Sequence, residues 1–215
     1  RQLCLQTGVN MNKLTNLKRS QVVAALVEGA SINSVVRMTG VSKPTILKLL
    51  ADLGTACAKY QDEKLRNLPC KRVQADEIWS FCFAKDKNLP DALKGKFGFG
   101  SVWTWTAICA DTKLMISWLV GERSVPYAEK FISDIASRLA NRVQLTTDGH
   151  KAYLQAVEKA FGSEIDYAML EKIYAAPPQE GVTTRYSPAQ CCGAKKNKIA
   201  GSPDLAHVST SYAER

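Results

Sequence analysis

The hydrophobic period of the chain changes at Arg72. Upstream, apolar residues recur at the three-to-four-residue spacing of helices. Downstream they alternate or run in short apolar blocks, as strands do. A break of this kind divides the 215 residues into a small all-α unit and a larger unit built on a sheet. Charge breaks at the same place: residues 1–72 hold 12 Lys/Arg against 4 Asp/Glu, and residues 73–215 hold 17 against 16. Nearly all of the net +9 is therefore N-terminal. That distribution fits a polyanion-binding head on a near-neutral body, and equally a well-solvated basic helical surface. No apolar run approaches the roughly 18 residues needed to cross a bilayer. The seven cysteines are scattered and never spaced C-x-x-C, and there are two histidines. This argues against a zinc site and for reduced thiols in a cytoplasm, adjacent Cys191 and Cys192 included.

In the first unit, "KRSQVVAALVE" (18–28) predicts a helix closed by Gly29. Ser31 caps a second, short helix that stops at Thr39-Gly40, and Ser42 caps a third. Pro44 falls in the third helix's first turn, where it is tolerated, and Gly54 is expected to end that helix. "SVVRMTGVSKPTILKLL" resembles the helix-turn-helix, with Gly40 in the turn, Val41 facing inward and Ile46 locking the helices. In that geometry the start of the third helix enters the major groove of DNA. Ser42, Lys43, Thr45 and Lys48 are then the candidate base or phosphate contacts, and Arg37 a backbone contact. A three-helix bundle that binds nothing is the plainer reading; the basic charge favours DNA. We assign residues 12–54 to this unit and residues 55–71 to a polar connecting helix ended by Pro69.

Residues 72–215 read as an α/β layered unit. "RVQADEIWSFCFAK", "SVWTWTAICAD" and "KLMISWLVG" predict three strands joined by short connections. An amphipathic helix opened by Pro126 follows, then the strand "RVQLTT", the helix "KAYLQAVEKAF" and the strand "IDYAMLEKIY". Residues 177–203, with "PP", "CCGAKKNK" and "GSP", read as a mobile basic insertion. The plan resembles the ribonuclease H-like fold, a mixed sheet flanked by helices that places one carboxylate mid-way along its first strand and a second at the end of its fourth.

Three acids answer to that pattern: Asp76 in the first strand, Asp148 at the tip of the fourth, and Glu214 in "STSYAER", at the start of an expected helix. An ionised carboxylate among apolar residues must be paired, protonated or bound to a cation. Three of them suit Mg²⁺ or Mn²⁺, hard cations that take a few carboxylates plus water and phosphate oxygen. Two such ions can drive in-line displacement at phosphorus. Each acid also has a plainer reading. Asp148-Gly149 is a tight-turn dipeptide, Ser211-x-x-Glu214 matches a capping box, and Asp76 or Glu77 could pair with a neighbouring lysine. Strand alternation places Glu77 on the opposite face from Asp76, so the two are not expected to share a ligand. The only histidines, His150 and His207, lie beside Asp148 and before Glu214; both are expected as exposed loop residues, with a phosphate- or water-steering role the alternative.

"QADEIWSF", "WTWTAICADT", "LTTDGHKAY" and "HVSTSYAER" together resemble bacterial transposases of the insertion sequence one type. The resemblance implies a D-D-E triad of Asp76, Asp148 and Glu214 holding two Mg²⁺ or Mn²⁺ ions. It implies double-stranded DNA as partner, at terminal inverted repeats and at the target, and a homo-oligomer acting on it. Relatives continue past the Glu-Arg pair, so the catalytic unit is expected to be truncated at Arg215. Some relatives also carry an N-terminal zinc segment that is not recognisable here. A truncated or domesticated DNA-binding protein and a ribonuclease H-like nuclease without strand transfer are the competing expectations.

Overall fold

The structure, a computed structural model, describes residues 13–96, 98–174 and 191–214. They form two compact units divided between Lys64 and Leu65.

The first unit has three helices, α1 (Asn16–Val27), α2 (Ile32–Thr39) and α3 (Lys43–Lys64). Thr15 and Ser31 cap the first two, their hydroxyls accepting from the amides of Lys18 and Ser34. Gly40 ends α2 at φ 70°, a left-handed conformation that glycine adopts without steric cost. Val22, Val35, Val41 and Ile46 form the core. α3 does not stop at Gly54 as its sequence suggested, but continues to Lys64. Glycine ends a helix by turning left-handed, and Gly54 is not among the positive-φ residues. Its helical cost of about 1 kcal/mol is carried by the good helix formers around it, Ala51, Leu53, Ala56 and Ala58. The connecting helix expected over 55–71 is thus the second half of α3 and then irregular chain.

The second unit is a six-stranded sheet in the order β3-β2-β1-β4-β5-β6. Its strands are β1 (Arg72–Cys82), β2 (Gly100–Cys109), β3 (Met115–Gly121), β4 (Val143–Asp148), β5 (Ile165–Tyr174) and β6 (Cys191–Ala200). The first three form an antiparallel meander, β4 and β5 run parallel to β1, and β6 returns antiparallel to β5. This order and direction make the unit ribonuclease H-like, as its sequence led one to expect. Helices α4 (Val125–Arg138) and α5 (Ala152–Phe161) pack with the sheet around a core that includes Val73, Ala75, Trp105, Phe131, Ile132, Leu145, Tyr153 and Tyr167. Residues 203–214 add a further layer: the Gln74 amide oxygen accepts from the Tyr212 amide, and Gln144 exchanges two hydrogen bonds with the Asp204 backbone. Val208, Thr210 and Ala213 are buried there.

Residues 191–200, expected within a mobile insertion, form β6; residues 175–190 of that stretch lie outside the described residues. No β6 residue is buried and most are exposed, so no apolar alternation marks the strand. Its lysines are what a sheet edge carries to discourage pairing with other chains.

Candidate functional site

The parallel ladder between β1 and β4 ends at Ala75 opposite Thr147. Asp76 and Asp148 are the next residue on each strand, so the sheet opens between them. β1 reaches this point as a buried strand, and β4 ends at it because Gly149 and His150 turn the chain into α5. The turn reading of Asp148 also holds: its Oδ1 accepts from the His150 amide at 3.0 Å.

Ligand atoms of Asp76, Glu77 and Asp148 lie within 4.8 Å of one another. This corrects the expectation that Glu77 cannot join Asp76. Alternation does send the two side chains to opposite faces, since Glu77 pairs with buried Trp105. The faces meet, however, where the β1–β4 ladder stops. Asp76 folds back so that its Oδ1 accepts from the Glu77 amide at 2.7 Å, and the longer Glu77 reaches the same opening. The Glu77 side chain is only 1% exposed, and its buried carboxylate has the Tyr153 hydroxyl as its neighbour on the inner side.

Burial pushes the Asp76 carboxyl up to about 6, with Asp148 and Glu214 adding repulsion. Burial likewise raises Glu77 to about 7, again with Asp148 repelling and with Tyr153 and Arg123 opposing. Arg123 donates to Asp148 Oδ2 at 3.1 Å, lies 3.5 Å from Glu77 Oε2, and rests its guanidinium over the Trp103 ring at 4.9 Å.

Glu214 stands apart from the group of three. It is ion-paired with Lys172 and accepts from the Thr210 hydroxyl, and these bonds hold its carboxyl below the ordinary glutamate range although burial pulls the other way. It is near enough to raise the pKa of Asp76. The expected helix at Glu214 is a hydrogen-bonded turn over residues 211–213, and the partner of Glu214 is Thr210 instead of Ser211. His150 is not an exposed loop residue: its ring packs against Trp105 and Tyr153, its Nε2 is buried without a partner, and burial lowers its pKa. His207 is exposed and paired with Asp204 at 2.7 Å.

In the first unit, Arg37, Ser42, Lys43 and Lys48 are exposed and Thr45 is half-buried. The Ser42 and Thr45 hydroxyls bond each other at 2.8 Å, while Lys48 makes a loose i,i+4 pair with Asp52. Arg37 donates to Ser34. Arg123 and Tyr153 escaped the sequence reading: an arginine after a strand and a tyrosine in an apolar helix carry no local signal.

No family model matches the chain, and neither does any curated protein. Among solved structures, a piggyBac transposase synaptic complex with hairpin DNA superposes at TM-score 0.37 and 11% identity, over 80% of this chain and 44% of that one. Endonuclease V from Bacillus subtilis superposes at TM-score 0.28 and 12% identity, over 80% of this chain and 81% of that one. The chain therefore spans less than half the length of the transposase it matches. Among the described residues, no helix is long and apolar enough to cross a membrane.

Proposed function

We propose that the chain is a DNA transposase whose second unit cleaves and joins DNA by metal-dependent phosphoryl transfer, while its first unit grips the element's ends. The observation that carries the chemistry is the gathering of Asp76, Glu77 and Asp148 within 4.8 Å, at the point where the β1–β4 ladder stops. The donors are all hard oxygens, and burial, with repulsion from neighbouring carboxylates, raises two of the three carboxyls to about 6 and about 7. Such a set fits Mg²⁺ or Mn²⁺. Asp76 and Asp148 would hold the cation, with Glu77 beside them and Glu214 joining as the third acid of the triad when it leaves Lys172. One or two ions held there would supply activation of a water or 3′-hydroxyl and stabilisation of the leaving oxygen.

The chain's own groups do the rest. Arg123 offsets the charge of Asp148 and Glu77 and fixes the Asp148 carboxylate. The Tyr153 and His150 rings keep water from the inner side of the cluster. In the first unit, Ser42, Lys43, Thr45 and Lys48 at the start of α3 would meet base edges and phosphates as in a helix-turn-helix, with Arg37 on the backbone. A pair of copies on paired DNA ends is the assembly this reading calls for. The transposase reading, as opposed to a plain nuclease, is supported by the order of the three acids and by the basic first unit.

The test is strand cleavage and strand transfer on repeat-end DNA with Mg²⁺ or Mn²⁺, comparing wild type with Asp76→Asn and Asp148→Asn. Activity that survives either change removes the metal-triad reading. Cleavage without joining leaves the nuclease. A second reading, a DNA-binding protein without chemistry, is favoured by one observation, the capture of Glu214 by Lys172. Repeat binding with no nicking in either metal would establish it.

A further inference from the structure

Beyond Glu77, β1 continues as an aromatic strip. Trp79 and Phe81 share Glu77's face and are 41% and 46% exposed, their rings 5.7 Å apart. Trp79 pairs across the sheet with Trp103, the ring that carries Arg123. Large apolar side chains left open to solvent are ordinarily mobile, but Trp79 is fixed. Its indole N–H donates to Ser101 Oγ at 3.0 Å. Ser101 is held in turn by Asp86, whose carboxylate accepts both its hydroxyl and, at 2.8 Å, its amide. The neighbouring Gly100 leaves room for that carboxylate, since a Cβ there would lie 2.3 Å from Asp86 Oδ1. Lys85 completes the strip, its ammonium 5.2 Å from the Trp79 ring and 6.0 Å from that of Phe81.

We propose that Trp79 and Phe81, flanked by Lys85, form a stacking platform for an unpaired base of the DNA strand whose phosphate lies at the acid cluster. The proposal rests on the DNA-processing reading above. Every base has a π-face that an aromatic ring can take regardless of sequence, and cations placed among the rings take the adjoining phosphates. Trp79 is three residues along β1 from Asp76, roughly 10 Å at strand rise, so a nucleotide beside the scissile phosphate is within reach. Burial against a second copy of the chain would explain the exposed rings as well. It would, however, bring Lys85 of each copy towards the like charge of the other across a two-fold contact, whereas a nucleic-acid strand neutralises it. A rigid ring with its polar edge already satisfied by Ser101 presents only its apolar face, which is what stacking needs.

The experiment uses the full chain without divalent metal, so that no strand is cut. The probes are a blunt duplex and the same duplex with an overhang carrying 2-aminopurine, followed by fluorescence anisotropy and by quenching. Trp79→Ala is expected to weaken overhang binding roughly 10-fold, within the range for loss of one base–aromatic stack, to abolish most of the quenching, and to leave the blunt duplex unchanged. Trp79→Phe, which keeps a ring and guards against misfolding of the alanine variant, is expected to restore most of both signals. Equal effects on both duplexes, no effect on either, or no overhang binding by wild type overturns the platform. So does a Trp79-dependent dimer in sedimentation with DNA affinity unchanged. Cleavage with Mn²⁺ is scored alongside. If Asp76→Asn abolishes cleavage while Trp79→Ala binds overhangs normally, the platform alone is wrong. If overhang binding depends on Trp79 while wild type cuts nothing, the catalytic reading alone is wrong.

Discussion

The two ends of β1 are both rich in carboxylates, and they treat them in opposite ways. At the end near Arg72, each of three acids has a hydrogen-bonding partner: Asp111 pairs with Arg72, Asp166 with Arg142, and Asp204 bonds the His207 ring. All three carboxyls are held below the ordinary aspartate range, first of all by those side-chain hydrogen bonds. At the end near Asp76, two of three clustered carboxyls are pushed up to about 6 and about 7 by burial, and Arg123 is shared between Asp148 and Glu77. At one end every acid is matched by a side chain that donates to it. The other is a set of clustered oxygens with Arg123 as their nearest cation, the kind of set that could take a cation from outside.

The contrast breaks most visibly if acids at the two ends prove interchangeable for activity. Asp76→Asn and Asp148→Asn are each expected to reduce metal-dependent DNA cleavage by on the order of 10³-fold or more, as removal of a group that acts as part of a unit does. Initial rates on labelled repeat-end DNA at saturating Mn²⁺ give the number. A matching loss from Asp166→Asn would erase the distinction between the two ends.

Titration sharpens it next, because the ends run in opposite directions. A carboxyl whose folded pKa is raised holds a proton that the unfolded chain has released, so stability falls as pH rises through the interval between the two values. For Asp76 and Glu77 that window runs from the ordinary carboxyl range up to about 6 and about 7. The loss is on the order of 3 kcal/mol per group before their mutual coupling. At the Arg72 end the lowered pKa values give stability that is present at neutral pH and is lost as pH falls below the ordinary aspartate range. Mn²⁺ binds the deprotonated carboxylates, so it is expected to raise the thermal midpoint by several degrees at pH 8 and by much less at pH 5. Differential scanning fluorimetry across pH, with and without Mn²⁺, reads both slopes. A metal effect independent of pH would show that the ion binds elsewhere.

Arg123 is the next lever. It occupies Asp148 Oδ2 and lies beside Glu77, so it both relieves the cluster and competes with an incoming cation. Arg123→Ala is expected to lower the metal-free midpoint at pH 8 and to tighten Mn²⁺ binding several-fold, measured by calorimetry. Weaker Mn²⁺ binding would make Arg123 a positioning residue for Asp148 and not a competitor.

How far the sequence foretold these two ends follows from what local patterns can carry. Asp76 and Asp148 were legible because each interrupts a strand signal, one in mid-strand and one at a strand tip, and the fold that those strands implied aligns them. Glu77 was visible but misplaced. Alternation assigns a residue to a face, and it says nothing of where a ladder ends and the two faces become one opening. β6 was missed because an edge strand exposed on both sides has no period to detect, and α3 was cut short because Gly54 stays helical. The pairing of Asp166 with Arg142 joins residues whose nearness only the folded sheet creates.

The smallest expected effect belongs to the matched end. Asp166 accepts from Arg142 Nη2 at 2.8 Å and Nε at 3.1 Å, and from the Ser202 amide at 2.7 Å. Arg142 also donates to the carbonyls of Ser163 and Ile165, and those bonds survive a change at Asp166. Asparagine keeps one oxygen to accept from Ser202 and Arg142 Nη2, but loses the charge and the second oxygen, which accepts from Arg142 Nε. With Arg142 exposed and Asp166 half-buried, Asp166→Asn is expected to cost about 1 kcal/mol in a urea titration. DNA cleavage should be unchanged, because the ion pair is not shared with the Asp76 cluster. A several-fold fall in cleavage with normal stability would mean that the matched end also reaches the substrate, and its arginines would then have to be counted among the DNA contacts.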